Sequence, residues 1–143
     1  NHSVAMASSG LPYPVRCTAD GCGQIEIPGV PLGSFKGITY DEVSLPLAKD
    51  DVFVFCTDGI FEAINEQGAE FGARRLIDIV AARRAESPHA IVDAIFDAVR
   101  MFRPMPGTIG PGQSEPNSVL GAISSSRGKY SSSLTGGMLE TSR

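Results

Sequence analysis

The sequence is short of the residues that build metal cages and disulfide frameworks. Two histidines (His2 and His89) and three cysteines (Cys17, Cys22 and Cys56) are spread over 143 residues. An odd, small number of cysteines does not read as a disulfide framework. Cys17 and Cys22 have a C-x4-C spacing that could seat half a zinc site, yet no second pair or nearby histidine completes it. Cys56 lies in the most apolar segment and reads as a small buried hydrophobe. His2, near the terminus, and His89, at an expected helix start, read as surface residues. Positive charge is not in excess: the net charge is −4. That argues against nucleic acid as a partner, and against a polybasic segment held at a membrane surface. No apolar run approaches the ~20 residues of a membrane span. The opening NHSVAMASSG has no basic region followed by an apolar core, so it does not read as a secretory signal. A reducing cytoplasm is the expected compartment.

The length suits one domain of ordinary size, and three zones differ in texture. Residues 1–57 carry short β-like runs separated by Gly and Pro, and residues 58–103 carry helical periodicity. Residues 104–143 are about half Gly, Ser and Pro, with a brief apolar patch at Val119–Ile123. The expected division is therefore a folded part at 1–103 and a poorly ordered tail at 104–143, where little apolar area offsets the entropy of ordering. In the first zone Tyr13–Cys17 and Gln24–Ile27 read as a hairpin around the Asp20-Gly21 turn signal. Residues 29–33, GVPLG, break regular structure. Thr39–Leu47 alternates as a half-buried strand does, with Val43, Leu45 and Leu47 on one face. Asp51–Thr57 is apolar on both faces, which predicts a central, covered strand.

Leu76, Ile77, Ile79 and Val80 form the stripe of one helix. Ser87-Pro88 supplies a cap and a favoured first residue for a second helix, whose apolar face is Ile91, Ile95, Val99 and Phe102. Strands followed by two amphipathic helices predict an α+β fold, with an antiparallel sheet layer covered by a helix pair.

The central strand runs directly into Thr57-Asp58-Gly59. An acidic group at the end of an apolar strand is costly to desolvate unless paired, hydrogen-bonded or bound to metal. The Gly after it allows a tight turn and close approach to a ligand. Two readings stand: Asp58 ligates a metal, or it caps the helical turn at Ile60–Ile64. Asp50-Asp51 could be a carboxylate pair, but a seven-residue strand separates it from Asp58 by about 23 Å. Arg74, Arg75, Arg83 and Arg84 read as a solvated helix face, with a phosphate or partner surface as the alternative. GVPLG is not a P-loop.

Pro31-Leu32-Gly33, then DVFVFCTDGIFEAINEQGAEFG from Asp51 to Gly72, then a helix and an SP-started helix, resemble the SpoIIE/RsbU branch of the PPM metal-dependent protein phosphatases. Ala7-Ser8-Ser9-Gly10 with Pro12 and Pro14 looks like the family's strand that ends in Ala-Gly-His, with Leu11 where the family has His. The resemblance spans roughly residues 4–102 and implies the C-terminal part of an α-β-β-α sandwich. It implies Asp58 as a ligand to one of two Mn2+ or Mg2+ ions that activate a water for in-line attack on a phosphoserine or phosphothreonine protein, typically an anti-sigma-factor antagonist. Further ligand aspartates are implied in a strand region ahead of the part represented here. The family's last strand opens with Asp-Asp-x-Thr, and the nearest match here is Glu115-Pro116-Asn117-Ser118. Glu115 is thus a candidate ligand one methylene longer than Asp, and Pro116 is poorly suited to a central strand. The expectation is an enzyme with an impaired metal site in this chain alone. The alternative is a non-catalytic interaction module on the same scaffold. Half a sandwich also leaves a sheet face and strand edges open, which predicts self-association or a companion segment.

Overall fold

The computed structural model describes residues 2–103, 120–126 and 129–135. Strand β1 (Ser3–Met6) pairs antiparallel with β4 (Val43–Pro46) in a two-stranded sheet. A second, antiparallel sheet has the order β3-β2-β5-β6-β7. Its strands are β2 (Val15–Cys17), β3 (Cys22–Gln24), β5 (Val52–Cys56), β6 (Leu120–Ser126) and β7 (Lys129–Thr135). Helices α1 (Asp58–Phe61), α2 (Gly72–Arg83) and α3 (Pro88–Phe102) lie between β5 and β6 in the chain. The α+β architecture is the one that the periodicities predict.

The core forms where alternate residues of the sheet meet the helix stripes. Val15 and Cys17 on β2 and Val52, Val54 and Cys56 on β5 pack with Leu76 and Val80 of α2 and Ile91, Val92, Ile95 and Val99 of α3. Helix α2 lies against β2 and β3, and α3 against β6 and β7. Ser87 caps α3 by accepting a 3.2 Å hydrogen bond from the Ala90 N–H, with Pro88 in the first turn. β5 is central, as its composition predicts, but the face that carries Phe53 and Phe55 is covered only in part. Phe53 is buried, whereas Phe55 at the far end keeps 36% exposure.

On the opposite face of the sheet, Arg16 of β2 pairs with Asp51 at the start of β5 and reaches β4 through a hydrogen bond to Pro46. Arg16, opposite Phe53 in the β2–β5 register, lies 5.4 Å above its ring. Its guanidinium donates to the Pro46 carbonyl at 2.6 Å and to Asp51 Oδ2 at 2.8 Å. The same Asp51 oxygen accepts from the Ala48 N–H at 3.1 Å. Asp51 is almost wholly buried, at 1% exposure, so its charge depends on these donors.

Two sequence expectations are corrected. The returning hairpin strand starts at Cys22 rather than Gln24, because the turn closes early, with Thr18 N–H donating to Gly21 O at 2.8 Å. Cys17 and Cys22 form a disulfide, contrary to the expectation that the cysteines build no disulfide framework. The early closure sets them directly opposite each other, with Cα atoms 4.0 Å apart. Farther along the chain, Leu120–Ser126 and Lys129–Thr135 form β6 and β7. β5 supplies the hydrogen-bonding edge that β6 extends, a stabilisation that local composition does not reveal.

Candidate functional site

Asp58 stands where β5 ends and α1 begins. Thr57 is the N-cap residue, in extended backbone with no side-chain cap bond. The Asp58 side chain is exposed, and its Oδ1 accepts from the Gly59 N–H at 2.9 Å. A carboxylate held by one local bond in water is free to take a hard cation, and it is not the N-cap of α1.

The segment behind Asp58 is held by contacts written in its residues. Ile60 and Ala63 are buried in the core, and Phe71 returns to it, its N–H donating to Ala63 O at 2.8 Å. Between them Asn65 organises a tight turn. Its Oδ1 accepts from Gln67 N–H at 3.1 Å and from Ala69 N–H at 2.8 Å. Gly68 takes φ +77°, a conformation that an L side chain resists. Phe71 also stacks edge-on against Phe102 at 5.4 Å, which ties the turn to the end of α3. Residues 29–31 press on residues 8–10, and any Cβ at Gly29 would overlap the Ser8 carbonyl.

The remaining candidates do not converge on Asp58. Asp51 lies at the opposite end of β5, committed to Arg16. Asp20 is exposed in the β2–β3 turn. His2 is exposed, and the exposed His89 lies 3.5 Å from Asp93 on α3. Arg74 and Arg83 pair with Asp78 and Glu86. Arg75 donates to the Glu70 and Phe71 carbonyls and lies 4.7 Å over the Phe102 ring. Glu115 lies outside the described residues. Burial pushes the Cys56 thiol up to about 12, which makes it inert. Among the described residues no group of three or more His, Cys, Asp or Glu side chains could hold a metal ion. Asp58 offers one suitable oxygen ligand, and the described residues do not make a two-ion centre. The Arg16–Asp51 pair and the disulfide were missed from sequence, since both depend on strand register; the Asp-Gly turn between Cys17 and Cys22 was the available signal for the latter.

The family model for stage II sporulation protein E (SpoIIE) matches residues 1–107. The chain belongs to the SpoIIE family. Comparison with curated proteins finds no match. Among solved structures, the Mn-presoaked phosphatase domain of the cell-fate determinant SpoIIE from Bacillus subtilis aligns with a TM-score of 0.63 and 17% identity. That alignment covers 87% of this chain and 51% of that one. A structure of the Bacillus subtilis SpoIIE PP2C phosphatase domain with a fragment of its regulatory domain aligns with a TM-score of 0.59 and 20% identity, over 71% of this chain and 30% of that one. The SiaA-PP2C domain of Pseudomonas aeruginosa gives 0.54 and 19%, over 65% and 37%. The fold is that of a PP2C phosphatase domain, and the chain spans about half or less of the length of these relatives. No helix among the described residues is long and apolar enough to cross a membrane.

Proposed function

We propose that this chain is the C-terminal part of a metal-dependent phosphatase acting on phosphoserine or phosphothreonine proteins of the anti-sigma-factor-antagonist type, in the cytoplasm. The supporting observation is the SpoIIE match over residues 1–107, in which the central strand ends at an exposed Asp58. In this reading Asp58 contributes one oxygen to an Mn2+ or Mg2+ site whose other carboxylates come from a companion segment, with Glu115 as a second candidate. The chain alone then binds the ion weakly and turns over little or no substrate.

Calorimetric titration of the 143-residue chain with Mn2+ tests the proposal. Weak binding that disappears in Asp58→Asn is the expected result, with phosphoprotein hydrolysis at background. Mn2+-dependent turnover abolished by Asp58→Asn would keep the site and overturn the inactivity.

A second reading, a metal-free interaction module, is favoured by the surface of the helix pair. A groove of about 430 Å³ between α2 and α3 is lined by the apolar Phe71, Ile79, Ala98, Met101 and Phe102 together with the charged Arg75 and Asp78, and Met101 is 86% exposed. Absence of Mn2+ binding together with tight capture of a protein partner, lost in Met101→Asp, would select this reading.

A further inference from the structure

β3 is the edge of the five-stranded sheet and is only three residues long. Its register with β2 sets Cys22 directly opposite Cys17, and the disulfide joins them across the turn at Thr18–Gly21. The two sulfurs differ in access. Cys17 has no exposure, whereas Cys22 is only partly buried. Beyond β3 the chain is fixed again, by Ile25 N–H donating to Pro14 O at 2.8 Å and by the buried Ile27. The covalent link therefore controls a short segment between two anchored points. The third cysteine is out of reach. Cys17 is level with Val52 on β5, and Cys56 is four residues further along, about 13 Å away.

We propose that Cys17–Cys22 is a redox latch that holds edge strand β3 against β2, opened by low-molecular-weight thiols and closed by the reverse exchange with their disulfides, which are reduced to thiols as the Cys17–Cys22 bond re-forms. In opening, a thiolate attacks the sulfur of the more accessible Cys22, forming a mixed disulfide there, and Cys17 leaves as a thiolate that takes up a proton. A second thiolate attacks the mixed disulfide at the small-molecule sulfur. Cys22 is released and protonated, and the reductant departs as its own disulfide. The protein gains two electrons and two protons, and two small thiols are oxidised. Once open, a three-residue edge strand pairs weakly, and its release uncovers the β2 edge, a template for pairing with another chain. In a reducing compartment the latch rests open and closes under oxidative conditions, the behaviour of transient cytosolic disulfides. The proposal is independent of the phosphatase reading, because it needs neither Asp58 nor a metal.

Hydrogen–deuterium exchange of the 143-residue chain, with and without dithiothreitol, tests it alongside mass-tag alkylation of thiols. In air-oxidised protein Cys17 and Cys22 are expected to resist alkylation, and dithiothreitol is expected to expose both. Amides from Thr18 to Gln24 should then exchange about tenfold faster or more, with α3 unchanged, as a local opening requires. Cys22→Ser should show the fast exchange with or without reductant, and re-oxidation of the wild type should restore slow exchange. Equal exchange in both redox states, loss of protection throughout the chain on reduction, or free thiols at both Cys17 and Cys22 in the air-oxidised protein would each overturn the latch.

Discussion

Asp51→Leu removes the carboxylate that receives Arg16 and the Ala48 N–H. The guanidinium is then left with the Pro46 carbonyl, and its Nε already lacks a partner. Removing one member of a buried ion pair costs roughly 3–5 kcal/mol, because the other charge remains desolvated. Arg16 retains 20% exposure, so the lower end, about 3 kcal/mol, is expected. That is a large share of a total stability of roughly 5–15 kcal/mol. An unfolding entropy of ~2.1 cal/mol/K per residue gives ~0.3 kcal/mol/K for this chain, so Tm should fall by about 10 °C. Arg16→Met alone should cost a similar amount, since it leaves Asp51 buried without its cation. The double variant Arg16→Met/Asp51→Leu should return to within about 1 kcal/mol of the wild type, because no charge is then buried and both side chains are apolar. Urea unfolding followed by circular dichroism measures all four proteins, with m-values checked for two-state behaviour. If the two single costs simply add in the double variant, the reasoning fails, because the pair would not be coupled.

Cys56 should make the fold alkali-sensitive. Its thiol titrates near 9.0 when exposed and at about 12 in the fold, so between those values the unfolded chain has lost a proton that the native state keeps. The stabilisation is complete below pH 9 and shrinks as pH rises towards 12, by ~1.4 kcal/mol per unit. Cys56→Ala should flatten that slope in urea titrations between pH 9 and 10.5; an unchanged slope would refute the assignment. Ser87→Ala should destabilise by about 1 kcal/mol through loss of the cap on α3, lowering Tm by ~3 °C. Restoration by Ser87→Asp, and not by Ser87→Val, would distinguish capping from packing.

Local pattern determined much of this protein. The two-faced apolarity of Val52–Cys56 required a central strand, and Ser87-Pro88 fixed the start of α3 through chemistry confined to four residues. The order Pro31-Leu32-Gly33, Thr57-Asp58-Gly59, Asn65 and Gly68 carried the family, and the structure gives the last two their physical role as the pivot of the turn behind Asp58. What tertiary structure decided lies between segments distant in sequence. Arg16 and Asp51 are 35 residues apart and meet because β2 and β5 are neighbours. Cys17 and Cys22 meet because the turn closes at Gly21 and not beyond it. β6 and β7 owe their hydrogen-bonding partners to β5 and to each other, and their own Ser-rich sequence offers only the brief apolar patch at Val119–Ile123. Periodicity reports which face of an element is apolar. Register, pairing and the burial of a charge depend on the neighbour that the folded chain supplies.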